Sequence, residues 1–246
     1  MRAVILQPMY IPWVGYFGMM QQADVFVFHD DIEFVRQSWQ RRNRIKVPED
    51  QGAEKWLSVP VIKDQGQKIN EVEINNNIDW RDEHWQNIIQ AYSEEPIPYG
   101  GECAPYFKKY EDVVQEFYER EWESLSDLTK YTVKQLAESI GIGETEIMST
   151  SEMDIEGTKT ERVINILKSV GADSYISGPG AKDYLDEDQF DSEKITLYWH
   201  MFDHPEYQQP YGQFRSHMSA LDFLFNVGPE TEPVLRGVEE DSLVKE

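Results

Sequence analysis

Several groups of side chains in this 246-residue sequence have the types and spacing for chemistry. Arg41-Arg42-Asn43-Arg44-Ile45-Lys46 places four cations in six positions. Arg42, Arg44 and Lys46 would hold an anion such as a nucleotide diphosphate or a sugar carboxylate through charge-assisted hydrogen bonds. Asn43, between two arginines, suggests directional hydrogen bonding. The competing reading is an internal salt-bridge network with the plentiful carboxylates. His29-Asp30-Asp31 is the second group. Adjacent acids can bind a metal or orient a hydroxyl, but strand alternation lets at most one of them enter a site. Asp31 is the leading candidate for moving a proton, with His29 ranked below it; a helix cap or a loop turn would use the same residues. His204 is the third candidate, an acid or base with a reference pKa near ~6.5. Pro205 argues against a helix through His200 and His204, so the pair is not read as a zinc site.

Two turns offer backbone to a ligand. Residues 177–184 read SGPGAKDY. Ser177, Gly178 and Gly180 would let the chain approach a ligand closely. Lys182 would contact a phosphate, and Tyr184 ends the block. The spacing is not that of a P-loop. Residues 8–17 form a proline-bounded aromatic turn ahead of a helix, whose unpaired N–H groups suit phosphate or carboxylate. Gln7 and Tyr10 would floor such a site. Tyr207, Gln208, Gln209 and Tyr211 add neutral groups of the kind sugars prefer. A tight connection, an aromatic structural turn and a plain surface loop are the bland alternatives.

These groups need a scaffold. The apolar run 3–6, a helix over 14–22 and a second strand over 24–29 make a βαβ unit. Working groups in such sheets collect at the carboxyl ends of the strands. Further strands are predicted over 56–62, 69–74, 146–150, 174–177 and 195–202, with a turn over 48–55. Helices are predicted over 80–92, 105–122, 125–140, 158–170 and 216–226, with a short one over 183–190. The fold class is α/β: a mostly parallel sheet flanked by helices. We expect one domain over residues 1–230 with a helical insertion over about 80–140, and an acidic mobile tail over 231–246.

Forty-six acidic residues against 23 basic ones give a net charge of −23. That argues against nucleic acid as a partner and against docking on an anionic membrane. The single cysteine, Cys103, excludes an intrachain disulfide and a cysteine zinc site. No signal peptide or transmembrane stretch is evident. A cytoplasmic enzyme or binding protein with a small anionic, nucleotide-linked substrate is the expectation. The residues leave ATP and a divalent cation open as cofactors and assign no metal ligands.

The strings QPMYIPWVGYF, DVFVFHDD and SWQRRNRIK, followed by WLSVPV, INEVEI, GADSYISGPGAKDYL and HPEYQQPYGQF, resemble the WbqC-like protein family. SHMSALDFLFNVGP extends the likeness, which covers nearly the whole chain. Glu33 departs from it, standing where the family pattern has an amide. The resemblance implies a role in assembly of surface polysaccharide, for example transfer of an acyl or aminoacyl group to an amino sugar. The turn over residues 8–17 also resembles the HxGH-type turn of adenylylating nucleotidyltransferases. It keeps the glycine and lacks both histidines, so it suggests only a nucleotidyltransferase-like fold. A non-catalytic sugar-nucleotide or partner-binding module is the alternative, and a metal-dependent hydrolase using Asp30 and Asp31 ranks third.

Overall fold

In a computed structural model, β1 (Arg2–Leu6) runs through α1 (Val14–Gln21) to β2 (Val25–Phe28), the βαβ unit expected from the sequence. The structure describes residues 1–62, 66–93, 104–239 and 243–244. A hairpin of β3 (Arg42–Val47) and β4 (Ala53–Ser58) follows. A shorter pair, β5 (Val61–Ile62) and β6 (Glu73–Ile74), comes next. Three helices then cover one side: α2 (Trp80–Tyr92), α3 (Phe107–Glu119) and α4 (Leu125–Ile140). The chain returns through β7 (Glu146–Ser149), α5 (Lys159–Ser169), β8 (Ser174–Ser177), α6 (Glu187–Ser192) and β9 (Thr196–His200). It ends in α7 (Ala220–Val227), α8 (Thr231–Glu239) and β10 (Leu243–Val244).

The main sheet has the order β10-β9-β8-β1-β2-β7. All its pairings are parallel except that of β10 with β9. Its central strands are apolar on both faces, as parallel strands covered on two sides must be. Val4, Phe26, Phe28 and Ile176 pack with α1, α2, α3, α4 and α7. Ala3, Ile5, Val25, Val27, Tyr175 and Trp199 pack with α5 and α6 on the other side. The two cores therefore follow the strand period of two.

This winding fixes where a sheet of this kind would open a crevice. From β1 the chain moves one way to β2 over α1, and from β8 it moves the other way to β9 over α6. Helices diverge to opposite faces between β1 and β8. In open α/β sheets that divergence opens a crevice at the carboxyl ends of the strands. The register Val4↔Ile176 puts Gln7 and Gly178–Pro179 beside one another there.

The structure corrects several local expectations. The basic patch is a strand: Arg42, Arg44 and Lys46 alternate with Asn43, Ile45 and Val47, and the latter three are buried. The turn expected over 48–55 is confined to residues 48–52, where Gly52 takes a φ of 97° that favours glycine. The strand expected over 56–62 is two strands, broken at Val59–Pro60. Residues 69–74 begin as a 3-10 turn, with Glu71 accepting from the Lys68 amide at 2.9 Å, and only Glu73–Ile74 pairs as strand. The short helix over 183–190 lies later, at Glu187–Ser192. The region expected as a tail carries α8, with Leu235 fully buried, and β10. Cys103, the loop over 94–103 and the remaining residues after 239 lie outside the described residues. Among the described residues no helix is long and apolar enough to cross a membrane.

Candidate active site at the carboxyl edge of the sheet

The site is built from three segments tied together by backbone. Trp13, at the start of α1, forms an antiparallel bridge with Ser219. The Ser219 amide donates to the Arg44 carbonyl at 2.8 Å, and the Ala220 amide donates to the Pro12 carbonyl at 2.8 Å. The chain before α7 thus lies between β3 and the turn that precedes α1. On β3, alternation sends Arg44 outward, opposite Trp56 on β4, and turns Asn43 inward. Asn43 Nδ2 donates to the Ile11 carbonyl at 2.8 Å, and its Oδ1 accepts from the Arg44 amide at 2.8 Å. Ile11 has a φ of 37°, which a β-branched residue rarely adopts. Asn43 helps hold that strained turn, so its directional hydrogen bonding serves the backbone and not a ligand.

Gly15 explains why the turn reads Trp-Val-Gly. A Cβ at Gly15 would lie 2.2 Å from the far edge of the Trp13 indole. The ring therefore lies flat over the glycine. From there it stacks on His217 (centroids 4.7 Å, planes 28° apart) and more distantly on His204 (6.1 Å, 17°). Phe202 meets it edge-on at 5.1 Å. A glycine-to-alanine change inside a helix ordinarily adds up to about 1 kcal/mol of stability. Here Gly15→Ala is expected to move the indole instead. Tryptophan fluorescence should report a changed Trp13 environment, with no rise in melting temperature.

The loop over residues 201–219 carries both histidines and has no repeating structure. A buried polar network fixes it. Asp222, on α7, accepts from Tyr92 and Tyr207 hydroxyls, each at 2.8 Å, and from Gln209 Nε2 at 2.7 Å. Gln209 Oε1 in turn accepts from the Arg215 amide at 2.8 Å. Lys46 is fully buried, and its Nζ donates to Gln209 Oε1 at 3.3 Å and to the Gln213 carbonyl at 2.8 Å. Burial drives the Asp222 carboxyl above its ordinary pKa, against the pull of those hydrogen bonds and of Lys46. Lys46 is thus a buried brace for the loop, a correction to its expected place at an anion. Tyr10 is corrected likewise: fully buried, its hydroxyl meets His84 Nδ1 and the Tyr118 hydroxyl at 2.9 Å each.

His204 and His217 are neighbours, with ring centroids 5.2 Å apart. His204 Nδ1–H donates to the Pro205 carbonyl at 2.9 Å, which leaves Nε2 with the lone pair. Burial lowers the His204 pKa most; the hydrogen bond to the Pro205 carbonyl raises it by less, and His217 (lowering) and Asp203 (raising) act more weakly still. Burial, then Arg44, lowers that of His217. Both imidazoles are consequently neutral at pH 7. His217 sits at a left-handed φ of 60°, a strain of the kind that gathers at functional sites. Arg44 Nη2 donates to its carbonyl at 3.3 Å.

Arg44 also pairs with Glu54 at 2.6 Å. Arg215 stands 3.8 Å from the same carboxylate, so two guanidinium groups share one acid. Arg42 has no carboxylate partner among the described residues; it donates to the Gln37 carbonyl at 3.1 Å and lies over Trp56. Positive charge therefore remains in excess on this face. Arg41 is engaged by the Arg36 and Val59 carbonyls.

Asp31 and His29 belong to a different cluster, at the ends of β2 and β7. Asp31 accepts from Thr150 Oγ1 at 2.6 Å and pairs with Arg162. Arg162 Nε also donates to His29 Nε2 at 3.3 Å. Asp30 is fully buried, paired with Lys130 at 2.5 Å and bonded to Ser151. Burial pushes both carboxyl pKa values up, but the hydrogen bonds and cations win and hold them below the usual range. Such an acid is a weak base at neutral pH. The proton-moving role expected of Asp31, with His29, is corrected to an ion-pair network that ties β2 and β7 to α4 and α5. Three strand spacings, about 14 Å, separate β2 from β9.

The remaining candidates line the β8 side. Ser177 is buried, and Gly178 and Gly180 would accept a Cβ without meeting any atom within 4 Å. Lys182 Nζ lies 5.1 Å above the Trp199 ring, and Tyr184 and Gln208 are exposed. Gln7, between β1 and the turn, accepts from Gln40 Nε2 at 2.7 Å. No group of three His, Cys, Asp or Glu side chains among the described residues is arranged to hold a metal ion. A cleft of about 710 Å³ opens instead at the amino ends of the strands, beside Arg2, Asp24 and Glu144; open α/β sheets do not place their ligands at that edge. His217 was missed by sequence reasoning, since nothing near it in the chain links it to Arg44.

A model of the WbqC-like protein family matches residues 7–233. The chain is also similar to the uncharacterized protein Rv1507c of Mycobacterium tuberculosis (strain ATCC 25618 / H37Rv), with 34% identity over 239 residues, 96% of this chain and 97% of that protein. No solved structure matches the chain. The family match takes in the turn carrying Trp13, the hairpin carrying Arg44 and the loop carrying both histidines. The chain belongs to the WbqC-like protein family.

Proposed function

We propose that the protein is a cytoplasmic transferase of surface polysaccharide or glycan biosynthesis, acting on a nucleotide-linked substrate. One observation carries this reading. Arg44 and His204 lie 160 positions apart in sequence, and both lie against His217, beside Trp13. Arg44, with Arg42, holds the phosphates. His204 Nε2 takes the proton lost by the attacking amine or hydroxyl as the new bond to the transferred group forms; that group's bond to the phosphate oxygen breaks, and the nucleotide phosphate leaves with the electron pair, held by Arg42 and Arg44. An acyl or aminoacyl group passing to an amino sugar fits this pair. Gln7, Ser177, Gly178 and Gly180 floor the crevice, with Lys182, Tyr184 and Gln208 at its rim.

A thermal-shift titration with nucleoside diphosphates and nucleotide sugars tests the binding half. A ligand at a hundredfold excess over its Kd should add about 2.7 kcal/mol of stability. Arg44→Gln should weaken that ligand by about 10- to 150-fold, the worth of a charge-assisted contact. Equal shifts in wild type and Arg44→Gln would remove the anion grip from the site.

A further inference from the structure

The hairpin carries an aromatic surface for which the fold itself offers no use. Trp39 and Trp56 are 40% and 43% exposed, whereas Trp80, Trp122 and Trp199 are buried. Their centroids are 5.3 Å apart and their planes are splayed by 35°. The Arg42 guanidinium lies 4.5 Å from the Trp56 ring. Arg44 lies 5.4 Å from Trp39 and 5.6 Å from Trp56. Such cation–π contacts hold both the rings and the cations in place.

The order of these groups across the surface is informative. By contact, the two arginines lie over the two indoles, Arg44 meets His217, and His217 meets His204. A nucleotide-linked substrate has the same order: planar base, phosphates, transferred group. We propose that Trp39 and Trp56 form the subsite for the base of a nucleoside diphosphate whose phosphates lie on Arg42 and Arg44. The proposal rests on the anion grip described above and adds the identity of what lies beyond the phosphates. Stacking on an indole is tolerant of base identity, because every base presents a π face. Discrimination among bases is therefore weak at this subsite.

The test compares inorganic pyrophosphate with UDP and ADP by calorimetry, on wild type, Trp39→Leu, Trp56→Leu and Arg44→Gln. Both indoles are exposed, so their replacement leaves the core intact. UDP and ADP should each bind roughly 5- to 150-fold tighter than pyrophosphate, the worth of one stacked base. The tryptophan variants should lose that advantage, so that UDP and ADP bind no tighter than pyrophosphate to the same variant. Arg44→Gln should weaken all three ligands. Equal affinities for pyrophosphate and UDP in wild type would overturn the base subsite and leave the anion grip standing. Tryptophan variants that keep the advantage would overturn the subsite in the same way. Pyrophosphate binding that ignores Arg44→Gln, or no binding of any of the three, would overturn the grip and the subsite together.

Discussion

His204→Ala is expected to reduce turnover by about 10²- to 10⁴-fold, the usual worth of a positioned general base. Binding of a nucleoside diphosphate should be nearly unchanged, because the phosphates lie on arginines and not on the imidazole. This split separates a base from a binding residue: Arg44→Gln should weaken affinity, and His204→Ala should remove the chemistry. It also separates a transferase from a binding module, in which His204→Ala would have nothing to remove. The pH profile adds a second signature. A base works only when neutral, so the rate rises with pH through the His204 pKa and levels off above it. Burial places that pKa below its ordinary value of 6.5, against the smaller upward pull of the Pro205 hydrogen bond. Activity should therefore be on its plateau at pH 7. His217→Ala takes away a neighbour that turns cationic only as the pH falls, and part of the cover, and both changes raise the His204 pKa. Its acid limb should move toward neutrality, and a limb that stays put would exclude His204 as the titrating group.

Asp222→Ala should be the most damaging change to stability. The carboxylate is fully buried and receives three hydrogen bonds. Its removal orphans the Tyr92 and Tyr207 hydroxyls and the Gln209 amide, and leaves buried Lys46 without its nearby opposite charge. A buried charge deprived of its counterpart costs about 3–5 kcal/mol, or roughly 10 °C of melting temperature for a chain of this size. Asp222→Asn keeps an oxygen for two of the donors, and its amide can donate to a tyrosine hydroxyl that turns to accept. It should lose less, by the share of those hydrogen bonds, since Lys46 loses its opposite charge in both variants. The pH dependence has a definite sign. A carboxyl whose pKa is raised on folding contributes stability below its unfolded value, near 3.9. That contribution is lost as pH rises through the higher folded value. Wild type should therefore shed stability across that window, and the Asn variant, which cannot titrate, should not. Chemical denaturation of the three proteins between pH 4 and 8 checks both points.

The opening βαβ unit was legible because its apolar run, prolines and aromatic turn leave few alternatives. Helix α4 was legible to the residue: its apolar spacing stops at Ile140, where Gly141 supplies a left-handed cap with φ 104°. Strand β3 was not, because three cations on one face hide the period of two that Asn43, Ile45 and Val47 keep on the other. The same blindness misassigned Lys46 and Asn43 to the ligand. A charged or amide side chain reads as surface until the fold shows loop 201–219 closing over it. Asp31 looked reactive for an equal reason, since its partner Arg162 stands 131 positions away. Arg44 and His204 were legible by residue type, but their common neighbour His217, and the indole of Trp13 between the segments, depend on Ser219 threading from β3 to the turn before α1. No local pattern records that path. α8 was hidden by an acidic, weakly patterned stretch in which Thr231 and Leu235 are buried.

The most direct measurement follows the imidazole resonances of His204 and His217 while UDP is added. Both should shift and saturate together in wild type, and neither should move at the same UDP concentrations in Arg44→Gln. Resonances that stay fixed in wild type, or move equally in the variant, would contradict an anion held by Arg44 beside the two histidines.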